Sequence, residues 1–366
     1  MAKIAVVGAG INGACCAYML QRAGFDVTVF EATTIAGGGS GAAGAFLSPK
    51  FVKTGLLKEL INTALDEAFA FYKTTAKEYI NFYPLLHIAK DQKDAQHLAY
   101  VKDHDNIELL KNPPFIPSNE YIYTSKSGIV AAKEMIETLL ETIDVVYEKI
   151  DTVEKKEKRW CLNKKYSFDK VILATGAYTN LVNELYLEGV IRGIWGHRID
   201  VKTSTKNDIS IHQFVSISAV RDGICSIGAT HDVHYKPGML YDKEKAREEL
   251  LQKAFMTLPL KNVKVIKDYM GFRCGSSDYI PLIGEVVDAT TSLKLLSRRT
   301  LEQKKQDFST YSYHKGLYLI NGSAGYGFVL APYLAKRLVQ TIIDDTFVPQ
   351  EIALARFFPR YVRRKF

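Results

Sequence analysis

The apolar run Ile4 to Val7 breaks into glycine at Gly8, and the apolar positions of "INGACCAYMLQRAG" (11–24) then recur with helical spacing and stop at Gly24. "FDVTVFE" (25–31) alternates and closes on the acid Glu31, so residues 3 to 31 read as strand, turn, helix, strand. "GGGSGAAGAFLSPKF" (37–51) is too rich in glycine for regular structure, and a long helical pattern follows to about Ile80. Residues 81–124 are mixed, with Pro113 and Pro114 marking a loop, and 128–142 are helical. Residues 144–179 read as a strand, a charged hairpin and an apolar strand entering Ala174-Thr175-Gly176. Short alternating runs over 190–230 predict an antiparallel sheet of their own. A helix near 242–257 precedes "GFRCGSSDYIPLIG" (271–284), which reads as entry into one buried strand; a polar insertion covers 289–314. The last strand, "GLYLING" (316–322), leads through "SAGYGFVLAP" into a helix near 331–344.

Composition changes this picture little. The 366 residues are 47% hydrophobic and 24% charged, enough for two domains with their own cores. Cys15, Cys16, Cys161, Cys225 and Cys274 show neither C-x-x-C nor zinc-like spacing, so a reducing, cytoplasmic setting is expected, with no disulfides and no metal. His231 and His234 form an H-x-x-H pair with no third ligand nearby in sequence. No apolar window approaches the ~20 residues of a membrane span. Net charge is +8, and basic residues gather at Arg356, Arg360, Arg363, Arg364 and Lys365 among four aromatics. That tail either packs its rings on the body or forms a phosphate-contacting arm with rings free to stack on bases.

The chemistry begins at the first turn. Gly8, Gly10 and Gly13, with Ile11 and Asn12 between them, form G-x-G-x-x-G between a strand and a helix, and Glu31 ends the next strand. Glycine permits the tight turn and close backbone approach to a pyrophosphate, the helix N-terminus meets its charge, and the acid takes ribose hydroxyls. A second small-residue loop, Gly39, Ser40, Gly41, Ala42, Ala43 and Gly44, points to FAD rather than NAD. Ala174, Thr175 and Gly176 end a strand where backbone reaches a bound nucleotide. The expected fold is α/β: a doubly wound, Rossmann-type (glutathione reductase-like) FAD domain from 1–80, 125–188 and 265–345, an inserted antiparallel-sheet substrate domain from 81–124 and 189–264, and a basic tail, 346–366.

The set G-A-G-I-N-G-A, Glu31, G-S-G-A-A-G-A, A-T-G-A and G-x-G-F-V-L-A-P resembles the D-amino acid oxidase superfamily of flavoenzymes. Within it, Arg273-Cys274, Asp278, Pro281 to Gly284 and the arginine-rich end are similar to the C-terminal oxidoreductase domains of the MnmC family of tRNA-modifying proteins. Three departures stand out: the first strand begins at residue 3, Ala42 replaces an asparagine, and Gly325-Tyr326 stands where relatives carry Ser-Arg or Arg-Asn. The first implies that a methyltransferase, if used, is a separate partner.

The resemblance implies roles. Arg273 would bind a substrate carboxylate; the competing reading pairs it, as a strand-end arginine, with Asp278 or another acid. Gly322, Gly325, Tyr326, Gly327 and Phe328 would pass beneath the flavin, with Ile150 also beside the cofactor. Lys50 would supply a cation near the ring, unless it is a surface lysine. Tyr178, Tyr279 and Tyr326 are aromatic candidates for the pocket. The position used for covalent flavin attachment falls on Gly271, so FAD is expected to be non-covalent. The implied reaction is oxidation of a CH–NH bond in the carboxymethylaminomethyl group of a tRNA wobble uridine, and the alternative is oxidation of free glycine, sarcosine or a D-amino acid.

Overall fold

The computed structural model describes residues 1–178, 181–296 and 307–365, with the Lys365 side chain outside the described set. β1 (Lys3–Val7) lies between β2 (Asp26–Phe30) and the strand Lys170–Leu173, parallel to both, and the helix α1 (Ile11–Arg22) connects β1 to β2. Among the described residues this sheet has six strands. Asp144–Val146 flanks β2, Tyr313–Asn321 flanks Lys170–Leu173, and Leu282–Val287 closes the far edge antiparallel.

Side chains alternate across a strand, so β1 feeds two cores. Ile4 and Val6 are fully buried under α1 and the helices Leu56–Thr75, Ala132–Leu140 and Gly327–Asp344. Ala5 and Val7 face the other way, against Trp160, Leu162 and Phe168 of a three-stranded antiparallel sheet. The second face therefore carries a small sheet together with the C-terminal helix Phe357–Lys365. No helix among the described residues is long and apolar enough to cross a membrane.

The second large sheet has seven strands, in the order Lys264–Ser276, Ile191–Lys202, Ile224–Gly228, Ser216–Ile217, Ser210–His212, Leu85–Ile88 and Tyr121–Thr124. Its longest ladder pairs Ile191–Lys202 antiparallel with Lys264–Ser276, from Ile191 opposite Ser276 to Lys202 opposite Lys264. Residues 265–276 thus belong to this sheet and not to the unit expected to bind the cofactor. The stretch 271–284 contains parts of two strands in two sheets, divided by a turn at 277–281, because Asp278 and Pro281 break the ladder after Ser276.

Two other stretches are refined. Gly39–Ala42 forms one helical turn inside the small-residue loop, and 128–142 holds a short strand, Gly128–Val130, before its helix. The polar insertion begins with the helix Ala289–Leu295, and its part from 297 to 306 lies outside the described residues. The C-terminal segment folds as a helix, Phe357–Lys365, with Phe357, Phe358 and Val362 buried in the same core as Ala5 and Val7. Phe357 and Phe358 are therefore not available for stacking on bases.

Candidate active site

At the carboxyl end of β1, Gly8 takes φ +111° and its amide donates to the Phe30 carbonyl at 2.8 Å. A β-carbon on Gly8 would stand 2.5 Å from the Ala174 carbonyl oxygen, and one on Gly13 would stand 1.9 Å from the Gly8 carbonyl oxygen. Neither position admits a side chain, which is how the turn, α1 and the Ala174 strand end come together. Gly10 caps α1 without a side-chain hydrogen bond, while the Ile11 amide donates to Ser40 Oγ at 3.0 Å. Glu31 Oε2 accepts from the Ala9 amide at 2.9 Å and Oε1 from the Thr33 amide at 2.9 Å. Asn12 Oδ1 is buried beside this turn with no partner. A side-chain-free cradle at a helix N-terminus, with an acid at the next strand end and an unpaired polar atom, fits the pyrophosphate and ribose of FAD.

Several of the sequence-named residues are joined to that cradle or to one another by direct contacts, Tyr178 and Tyr279 are largely exposed, and Ile150 is turned away from it. Gly176 accepts at its carbonyl from Asn321 Nδ2 at 2.6 Å and from Cys274 Sγ at 3.1 Å, joining Ala174-Thr175-Gly176 to the last strand and to the arginine-bearing strand. Gly322 follows Asn321, and Ala324–Tyr326 form a tight turn leading into the helix that starts at Gly327. Phe328 is buried, and its carbonyl accepts from Tyr72 Oη at 2.8 Å. Ala42 accepts at its carbonyl from Arg198 Nε at 3.3 Å, which fastens the Gly39 to Gly44 loop to the seven-stranded sheet. The Ile150 side chain is buried in the core on the second face with Ala5, Val7 and Phe30.

Lys50 is half-buried, not a free surface lysine. Its Nζ donates to Tyr326 Oη at 3.0 Å and lies 5.1 Å from the centre of that ring. The pair places a cation at the turn 324–326. Ser323 Oγ, beside it, is buried without a partner, a polar atom that no sequence pattern singled out.

Arg273 stands opposite Ile194, and its guanidinium lies flat over Gly196, where a β-carbon would be 2.8 Å from Cζ, Nη1 and Nη2. Nη1 donates to the Thr230 carbonyl at 2.9 Å. Among the described residues no carboxylate pairs with Arg273, and burial lowers its pKa without removing its charge. The competing reading, a pair with Asp278, fails because Asp278 is taken. Arg356 donates to it from Nε at 3.1 Å and Nη2 at 3.0 Å, and Arg360 from Nη1 at 2.8 Å.

Arg356 and Arg360 are accordingly bound within the molecule, and the Arg356 side chain is only 9% exposed. They do not form the phosphate-contacting arm expected of them. Arg363 and Arg364 are exposed, while the Lys365 side chain lies outside the described residues.

Two residues beside the site were not named for it from the sequence: Arg198 carried no signal, and His231 was read only as half of an H-x-x-H pair. Arg198, four residues from Ile194 and so on the same face of its strand as Gly196, pairs with Asp200 Oδ1 at 2.8 Å and covers the Tyr269 ring at 3.7 Å. His231 follows Thr230, and partial burial together with the Arg273 charge lowers its pKa. Cys274 is no candidate nucleophile: burial pushes its thiol up to about 12.

Residues 3–341 match the family model described as FAD dependent oxidoreductase, DAO. The chain is 24% identical over 405 residues to the tRNA 5-methylaminomethyl-2-thiouridine biosynthesis bifunctional protein MnmC of Leptospira interrogans; the match takes in 99% of this chain and 61% of that protein. In three dimensions it is similar to a glycine oxidase from Bacillus cereus, with TM-score 0.75, 18% identity and coverage of 96% and 99% of the two chains. It is also similar to an iminodiacetate oxidase from Chelativorans sp. BNC1, with TM-score 0.74, 17% identity and coverage of 97% and 98%. The chain belongs to the DAO family of FAD-dependent oxidoreductases.

Proposed function

We propose that this protein oxidises the CH–NH bond of a glycine-like secondary amine, and that its substrate is the carboxymethylaminomethyl group of a tRNA wobble uridine. The observation that carries the reading is Arg273: a half-buried guanidinium with a single backbone acceptor and no acid, held on the sheet that also grips the cofactor loop through Arg198. A fork of that kind suits a carboxylate, and none among the described residues answers it. The MnmC relative is named for biosynthesis of a 5-methylaminomethyl uridine, whose precursor amine would be left once an N-carboxymethyl group is removed.

FAD, when bound, would accept a hydride from the carbon between amine and carboxylate, and hydrolysis of the resulting imine would release glyoxylate and the aminomethyl nucleoside. The chain's own share is orientation. Arg273 anchors the carboxylate, backbone from Gly322 to Gly327 admits a flat ring without steric hindrance, and Lys50 with Tyr326 supplies positive charge at that turn. The six-stranded unit holds the cofactor and the seven-stranded sheet covers the substrate. A separate methyltransferase would consume the product amine.

Anaerobic mixing of the FAD-loaded protein with wobble-modified tRNA tests this reading. Flavin bleaching with loss of the carboxymethyl mass from the nucleoside is expected. Bleaching by free glycine or sarcosine, with none by tRNA, would replace it with a free amino acid oxidase.

A further inference from the structure

Tyr279 sits in the left-handed backbone region, φ +65°, with its side chain 70% exposed. Its ring makes no hydrogen bond, ion pair or ring contact among the described residues. A bulky residue in that conformation is strained and persists only where its surroundings enforce it. The enforcement is visible: Ser276 Oγ donates to the Ile280 carbonyl at 2.7 Å, Asp278 Oδ1 accepts from the Ile280 amide at 3.3 Å, and Arg356 Nη2 donates to the Ile280 carbonyl at 2.8 Å. Nothing within the fold requires a tyrosine here, since glycine would meet the backbone demand without strain.

The turn is also well placed. It begins four residues beyond Arg273, Gly275 bridges to Ser323, and a β-carbon on Gly322 would lie 3.4 Å from Pro281 Cα and from Ser276 Cβ. Tyr279 therefore rises from a loop packed against Gly322, just past the end of the strand that carries Arg273.

We infer that Tyr279 is a substrate-binding residue whose ring stacks on a nucleobase of the tRNA that carries the substrate. This rests on the proposed tRNA substrate. An aromatic ring has only two side-chain torsions to order, and stacking tolerates any base. The Asp278 and Arg356 clamp holds the ring's backbone in advance of binding.

The test uses the FAD-loaded full chain and steady-state kinetics on wobble-modified tRNA. Tyr279→Gly is expected to melt no lower than the wild type, because it relieves strain, yet to raise KM for tRNA roughly 5- to 150-fold, the equivalent of ~1–3 kcal/mol for one stacked base. Tyr279→Phe, which keeps the ring, is expected to restore KM to within about threefold of wild type, a ratio worth under ~1 kcal/mol. A Tyr279→Gly protein with wild-type KM on tRNA overturns the inference alone. A wild-type protein inert on modified tRNA but active on small amines overturns the tRNA reading, and this inference with it.

Discussion

Arg356 grips Asp278 with one edge of its guanidinium, Nη2 to Oδ1 at 3.0 Å and Nε to Oδ2 at 3.1 Å, across 78 positions of sequence. The acid after Arg273-Cys274 and the arginine-rich end, separate features in the sequence, are two halves of one ion pair. It ties the C-terminal segment to the turn between the seven-stranded sheet and the strand Leu282–Val287.

The two arginines on Asp278 differ in burial, with side chains 9% and 43% exposed. Arg356→Met strands a partly buried carboxylate and is expected to cost about 3 kcal/mol, whereas Arg360→Met removes an exposed partner and should cost under ~1 kcal/mol. Urea unfolding of both variants measures the contrast, and equal losses would contradict the assigned burial.

Acid should release the same clamp. Burial pushes the Asp278 carboxyl up, but the hydrogen bonds and charges of Arg356 and Arg360 outweigh it and hold it at about 2. A carboxyl depressed in the folded state, against ~3.9 unfolded, stabilises the fold above that unfolded value, and the gain is lost as pH falls from about 4 through about 2. Its worth is about 2 kcal/mol. Comparison of wild type with Asp278→Asn at pH 5 and pH 2.5 should show the difference between them shrinking at the lower pH.

Arg273→Met should keep its FAD and lose roughly 100-fold in kcat/KM on carboxylate-bearing amines, the equivalent of ~3 kcal/mol for charge-assisted hydrogen bonds. Arg273→Lys should recover only part, because an ammonium cannot present the planar fork. Unchanged kinetics in the methionine variant would remove the carboxylate role.

Gly13→Ala places a methyl group where only 1.9 Å separates it from the Gly8 carbonyl oxygen. The turn must open, and the purified variant should carry little FAD. Its visible absorbance spectrum checks this, and a fully yellow protein would show that the cradle lies elsewhere.

How much of the site was legible depends on the reach of the contacts that make it. The G-x-G-x-x-G turn, its strands and Glu31 lie within about thirty residues, a range over which period and glycine placement determine local structure. Lys50 and Tyr326 meet across 276 positions, and no periodicity links them. The same holds for Arg198 on the Ala42 carbonyl, 156 positions apart.

By itself the sequence determined the glycine turn and most of the succession of elements, since backbone sterics and side-chain alternation act locally, and its motifs carried the resemblance that implied the chemistry. Only the tertiary structure decided which of Arg273, Arg356 and Arg360 is left without an acid among the described residues. Asp278 could have paired with Arg273, and packing of the C-terminal helix put Arg356 and Arg360 there first, leaving one half-buried guanidinium without an acid. Competition of that kind is settled by burial and distance between remote segments, which composition and spacing do not encode.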